Sequence, residues 1–168
     1  ILTPGNHDFW FEKMITQPQT YLFDKLTILI NGEANIYSDV DHKYYKIYGT
    51  PYCKDFGCWA YMPGNVILPS VYSTIPKNVD ILMCHDSPQV GYVANIMEQK
   101  SETYPNGVPA GNIYLFDEIV EKKPKYVLSG HIHSGDHTLQ EYAGTKYANV
   151  SILDESYSIN YKPLTFEL

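Results

Sequence analysis

Tyr126-Val127-Leu128-Ser129-Gly130-His131-Ile132-His133 starts as a short apolar run and ends as a polar, histidine-bearing turn. A run of this length, bounded by Pro124 and Gly130, reads as a buried strand. Two other stretches repeat the pattern. Ile1-Leu2 precedes Pro4-Gly5-Asn6-His7-Asp8, and Val79 to Cys84 precedes His85-Asp86-Ser87-Pro88. Polar residues that follow buried strands in this way gather at one sheet edge, where α/β proteins place their sites.

Helices fit between these strands. Asp8 suits the N-cap of a short helix running through about Ile15 and ending before Pro18. Ala110 to Lys123 puts Ile113, Phe116, Ile119 and Val120 on one face and stops at Pro124. A further helix is read over Tyr92 to Gln99. The segments Leu26 to Ile30, Ala34 to Tyr37, Tyr44 to Tyr48, Thr138 to Tyr142, Lys146 to Ile152 and Leu164 to Leu168 are rich in β-formers and separated by Gly, Asp and Asn, as in hairpins. The fold class expected is α/β, more closely an α+β sandwich with sheet on sheet and helices outside.

At 168 residues the chain supports one hydrophobic core, so a single domain is expected over 1–168. The longest apolar runs, Leu26 to Ile30 and Val79 to Cys84, fall far below the ~18 residues of a membrane span. The N-terminus lacks the basic region of a signal peptide. Three cysteines, Cys53, Cys58 and Cys84, make a sparse, odd set that suits a reducing, cytoplasmic setting and not a disulfide framework. No second Cys pair stands at zinc-ribbon spacing beside Cys53 and Cys58. Net charge is −7, and all twelve basic residues are Lys. Without Arg, bidentate recognition of phosphates and guanine edges is lost, which argues against a nucleic-acid partner. An acidic protein that handles phosphate esters must cancel charge by other means, and bound divalent cations are the obvious ones.

The histidines are therefore the residues to inspect. In extended backbone, side chains two apart point the same way, so His131 and His133 would share one side while Ile132 turns to the core. Two imidazoles on one side can serve adjacent metal ions, and a pair of surface histidines on a turn is the plainer alternative. Asn6 offers a neutral oxygen ligand, and His7 beside it can donate a proton. His85 closes an apolar strand at the same expected edge. His42, among Asp39, Asp41 and Lys43, reads as part of a solvated turn. His137 lies near enough to the same edge to touch a substrate.

The order Gly5-Asn6-His7-Asp8, then His85 at a strand end, then Gly130-His131-Ile132-His133 resembles the calcineurin-like metallophosphoesterase superfamily. Gly49-Thr50-Pro51-Tyr52, Gly57-Cys58-Trp59-Ala60-Tyr61 and the tail Tyr147-Ala148-Asn149-Val150-Ser151 are similar to its small branch of metallophosphoesterase-domain-containing phosphodiesterases. The resemblance implies a partial four-layer α/β/β/α fold with mixed sheets. It also implies a two-metal site that activates water for in-line attack on phosphorus. In that scheme Asn6, His85 and His131 bind one ion, His133 belongs to the other, and His7 is the catalytic acid. Manganese is the metal expected, with Fe, Zn or Ni as substitutes, and a small phosphoester is the substrate.

The family's Asp-x-His and Gly-Asp motifs would precede Gly5. The resemblance thus implies the C-terminal portion of a domain, inactive in isolation and prone to self-association through an uncovered edge. Asp86-Ser87-Pro88 stands where the branch has Gly-Pro-Pro. The alternative expectation is a non-catalytic binding or scaffold domain with a degenerate version of the fold. A third is a mononuclear zinc site on His85, His131 and His133.

Overall fold

The apolar tetrads Ile81–Cys84 and Tyr126–Ser129 pair side by side in parallel, and the rest of the fold is arranged around them. The computed structural model describes residues 1–14 and 19–168. Along the chain come helix α1 (Phe9–Met14), strands β1 (Gln19–Phe23), β2 (Leu26–Ile30), β3 (Gly32–Ser38) and β4 (Lys43–Thr50), helix α2 (Leu68–Ser73) and strand β5 (Ile81–Cys84). They are followed by strand β6 (Asn95–Ile96), a 3-10 turn (Met97–Gln99), strand β7 (Val108–Pro109), helix α3 (Ile113–Lys122), and strands β8 (Tyr126–Ser129), β9 (Gln140–Tyr142) and β10 (Thr145–Asn149). This is a mixed α/β protein.

The main sheet has the order β3-β4-β5-β8-β10-β9. Its four inner strands run parallel, and the edge strands β3 and β9 are antiparallel to their neighbours. Side chains alternate across it as a strand requires. Leu82, Cys84 and Val127 face the cluster built with Leu115 and Ile119 of α3 and Leu68 and Tyr72 of α2. Ile81 and Tyr126 face the other way, with Met83 and Leu128, against Leu29 of β2 and Phe166. Parallel strands buried on both faces need apolar residues at nearly every position, which is why these tetrads show no polar alternation, with Ser129 the one polar residue at the end of the second. A second, antiparallel ribbon pairs β1 with β2, and Leu2 bridges to Ile28 in parallel.

Helix α3 starts where Asn112, in extended backbone, accepts a hydrogen bond from Leu115 N. It ends at Lys123, whose left-handed backbone (φ 54°) precedes Pro124. Leu115 and Ile119, one turn apart, are fully buried. Each such side chain contributes on the order of 1.5–3 kcal/mol by leaving water. The face expected from sequence is thus rotated: Phe116 and Ile119 meet the core, whereas Ile113 (43% exposed) and Val120 (36%) lie outward.

Other expectations are corrected. Residues 92–99 form no α-helix, because Asn95 pairs with Pro109 and its side-chain amide donates to Asn106 O, drawing the backbone into the β6–β7 ribbon. Residues 164–168 join no ladder; Phe166 stacks on Tyr126 at 4.6 Å and Tyr126 OH donates to Glu167 O at 2.6 Å. Asp8 turns its carboxylate back to Gly5 N at 2.7 Å. Ile15 and Pro18, named for the end of that first helix, lie outside the described residues. Strand β1 and helix α2 had no counterpart in the reading of the sequence. Among the described residues, no helix is long and apolar enough to cross a membrane.

Candidate functional site

The register levels the carboxyl ends of the four parallel strands. Thr50 pairs with Cys84, Cys84 with Ser129, and Ser129 with Asn149. The ladder runs one residue further, since His85 N donates to Thr50 O (3.0 Å), Gly130 N to His85 O (3.2 Å) and Val150 N to Ser129 O (2.7 Å). His85 and Gly130 are therefore fixed by backbone bonds, and the side chains that follow them open onto one edge.

Asn6 reaches the same edge from the N-terminal turn. Its backbone carbonyl accepts from Ala60 N at 3.0 Å, and its side chain is buried. Asn6 Oδ1 lies 2.7 Å from His85 Nε2. A side-chain oxygen of this kind only accepts, so the pairing puts the His85 proton on Nε2. Gly5 lets the turn come this close, because a Cβ there would collide with the His85 ring. The His85 and His131 rings stand 4.9 Å apart.

His131 has a left-handed backbone (φ 67°), so the Gly130–His133 stretch is not extended and the expected two-residue alternation does not apply. The two imidazoles still reach one cleft by different routes. His131 packs by Phe56 (5.1 Å), while His133 donates from Nδ1 to Asp154 O (2.9 Å) and meets the edge of Tyr157 (5.3 Å). Ile132, between them, packs on the core as expected. His7 is exposed, 4.6 Å from Trp59 and 6.0 Å from Tyr157.

The cleft has about 180 Å³ of space. Asn6, His7, His85, His131 and His133 all line it, together with Phe56, Trp59, Glu155 and Tyr157. It adjoins a wider compartment of about 630 Å³ that shares Phe56, His131 and Glu155 and adds apolar wall from Ile96, Ala110 and Ile132. Burial pushes His85 down to about 3, with His131, His7 and His133 nearby adding to the effect. His131 is also lowered, chiefly by burial, against an opposing pull from Asp86. Both rings are neutral at pH 7.

A two-metal centre needs carboxylates alongside these imidazoles. The nearby carboxylates already carry hydrogen bonds from the protein. Asp86, fully buried, accepts from Lys54 N (3.0 Å), Ser87 N (2.9 Å) and Asn112 Nδ2 (2.7 Å). Glu155 accepts from Ser134 N, and Asp154 from the backbone of Ser156 and Ser158. Among the described residues, no group of three or more His, Cys, Asp or Glu side chains is disposed to hold a metal ion. This overturns the metal-dependent hydrolase expected from the sequence. With it go the metallophosphoesterase or phosphodiesterase activity, the two divalent ions (Mn, Fe, Zn or Ni), and the phosphoester substrate that depended on them. The mononuclear zinc reading on His85, His131 and His133 fails on the same ground.

His42 sits exposed in the β3–β4 turn, as read. His137 stacks on Tyr161 at 3.7 Å and gives Nε2 to His133 O, so it supports the backbone behind the cleft instead of facing a ligand. Phe56, Trp59, Glu155 and Tyr157 escaped the reading because they come from loops that carry no periodicity. The available signal was two aromatics around a single glycine, Phe56-Gly57-Cys58-Trp59. Cys53, Cys58 and Cys84 are all free thiols.

No family model matches the chain. It is similar to a protein described as UPF0046 protein T07D4.2 of Caenorhabditis elegans, with 29% identity over 126 residues. That match takes in 73% of this chain and 29% of the other protein, so the chain spans less than a third of the length of this curated relative.

Proposed function

We propose that this chain is a non-catalytic ligand-binding domain built on a degenerate, partial metallophosphoesterase-like fold of four-layer type. One observation carries the functional part: Asn6, His7, His85, His131 and His133 converge on one cleft, yet their partners there are an amide, a backbone carbonyl and aromatic rings. Such a lining can recognise a ligand by shape and polarity without activating water. The fold part is supported by the motif order Gly5-Asn6-His7, His85, Gly130-His131-Ile132-His133, and by the mixed sheet with helices over one face and β2 over the other.

A fragment-library titration of the ¹⁵N-labelled chain tests the reading. Shift changes should cluster on residues 6–7, 56–59, 131–133 and 155–157. In parallel, a chromogenic phosphodiester with Mn²⁺ should be hydrolysed no faster than in a protein-free blank. Metal-dependent turnover that disappears in His131→Ala overturns the proposal, as does binding confined to other surfaces.

A further inference from the structure

Resting on that reading, we infer that the cleft binds a small organic cation of the alkylammonium class, with its charged head among Trp59, Tyr157 and Phe56 and its carbon body along the wider compartment. The sign of the lining favours a cation. Among the described residues around the narrow compartment there is no Lys, and the chain contains no Arg. Lys54, on the wall of the wider compartment, has its ammonium tied to Ala110 O (2.6 Å) and Gly111 O (2.8 Å). The charged group shared by both compartments is the Glu155 carboxylate, and Asp55 lines the wider one.

The rings of the lining favour the same sign. His85 and His133 already direct N–H groups at Asn6 Oδ1 and Asp154 O. Those two N–H groups are engaged within the protein and are not offered to an anion. Phe56, Trp59 and Tyr157 add aromatic rings to the lining, and the faces of such rings are their negative parts. Trp59 leans on His7 at 4.6 Å, Tyr157 stands edge-on to His7 and His133, and Phe56 flanks His131 at 5.1 Å. Aromatic walls with one carboxylate are the recurrent recognition device for quaternary and alkylated ammonium groups.

The shape of the two compartments fits as well. The narrow compartment of about 180 Å³ suits a compact head group, and it opens into about 630 Å³ walled by Phe56, Ile96, Ala110 and Ile132. A ligand with a cationic head and a short apolar or ether-linked body fills both. The net charge of −7 favours its approach.

The test is an NMR titration with choline, with 3,3-dimethylbutan-1-ol as its uncharged carbon isostere, and with inorganic phosphate. Choline should shift the Trp59 indole and the backbone of residues 131–133 and 155–157 saturably, and bind about tenfold or more tighter than the isostere. Trp59→Ala should weaken choline about tenfold, Trp59→Phe should largely restore it, and Glu155→Gln should weaken it about threefold. Both sites are exposed, and amide dispersion shows whether each variant is folded. Equal affinity for choline and isostere overturns the cation inference while leaving the binding-domain reading intact. So does phosphate shifting the same resonances at lower concentration. If neither these probes nor the fragment library perturbs the cleft, both fall together.

Discussion

Asn112 holds Asp86 from one side and begins helix α3 from the other: its Nδ2 donates to Asp86 Oδ2 at 2.7 Å while its Oδ1 accepts from Leu115 N at 3.1 Å. The same amide nitrogen reaches Tyr72 OH, which in turn donates to Tyr52 O. One side chain thus satisfies a buried carboxylate, a helix terminus and a tyrosine of the neighbouring helix. Asn112→Ala removes the cap, worth about 1 kcal/mol, and takes a donor from a buried carboxylate, worth about 1–3 kcal/mol. A loss of about 2–4 kcal/mol in urea unfolding at pH 7 is expected, and a change below about 0.5 kcal/mol would show the network to be dispensable.

Acid should weaken the fold through His85. Its folded-state value, about 3, lies below the ordinary 6.5, so the unfolded chain takes up a proton that the folded chain refuses. The contribution is fully present above about 6.5 and is lost as pH falls toward about 3, by up to about 1.4 kcal/mol per pH unit. His131 acts in the same direction. Urea midpoints measured from pH 8 to pH 4 should fall along this window, and His85→Gln should flatten the slope. An unchanged slope in that variant would place the acid sensitivity elsewhere.

Gly5→Ala would drive a methyl group into the His85 imidazole. The expected result is a displaced ring and a broken contact with Asn6, seen as altered His85 and Asn6 side-chain resonances. Overall stability should drop by about 1–3 kcal/mol, the usual cost of overpacking. Side-chain resonances identical to those of the parent chain would refute the close approach.

Divalent metal should not stabilise the protein. Saturation of a specific site at a hundred times its dissociation constant would add about 2.7 kcal/mol and raise the melting temperature by several degrees. Millimolar Mn²⁺, and separately EDTA, should each leave the melting temperature within about 1 °C. A saturable rise with Mn²⁺ that is lost in His131→Ala would contradict the donor geometry described above.

Leu115→Ala tests the packing of α3. Leu115 is fully buried beside Ile119, Leu82 and Val127, and truncation should cost about 2–5 kcal/mol. Val120→Ala, at a position the sequence pattern assigned to the core but which is 36% exposed, should cost well under about 1 kcal/mol. Equal losses from the two would restore the helix face read from the sequence.

The strands that bear the histidines were legible because four-residue apolar runs closed by Gly or Pro have few other uses; β5 and β8 lie inside the segments read for them. The orientation of α3 was not legible from periodicity alone. Its apolar arc is broad, from Leu115 through Ile119 and Phe116 to Val120 and Ile113, and the Asn112 cap and the sheet beneath fix which part of it turns inward. The site was half legible. Asn6, His7, His85, His131 and His133 do share a cleft, yet the last pair arrives there through a left-handed backbone at His131 and not through extended alternation. The metal expectation failed because, among the described residues, no three His, Cys, Asp or Glu side chains are disposed around one point, and such three-dimensional disposition leaves no trace in spacing. Trp59 and Tyr157 sit on loops brought together only by tertiary structure.

The levelled strand ends have a further consequence. The floor of the cleft is made of backbone bonds shared by Thr50, His85, Gly130 and Val150, whereas its rim is made of exposed loop side chains at 56, 59 and 157. On the proposed binding reading, selectivity and durability are thereby lodged in separate groups of atoms. The rim can be re-lettered, ring for ring or ring for amide, to suit a different guest while the platform beneath melts at the same temperature.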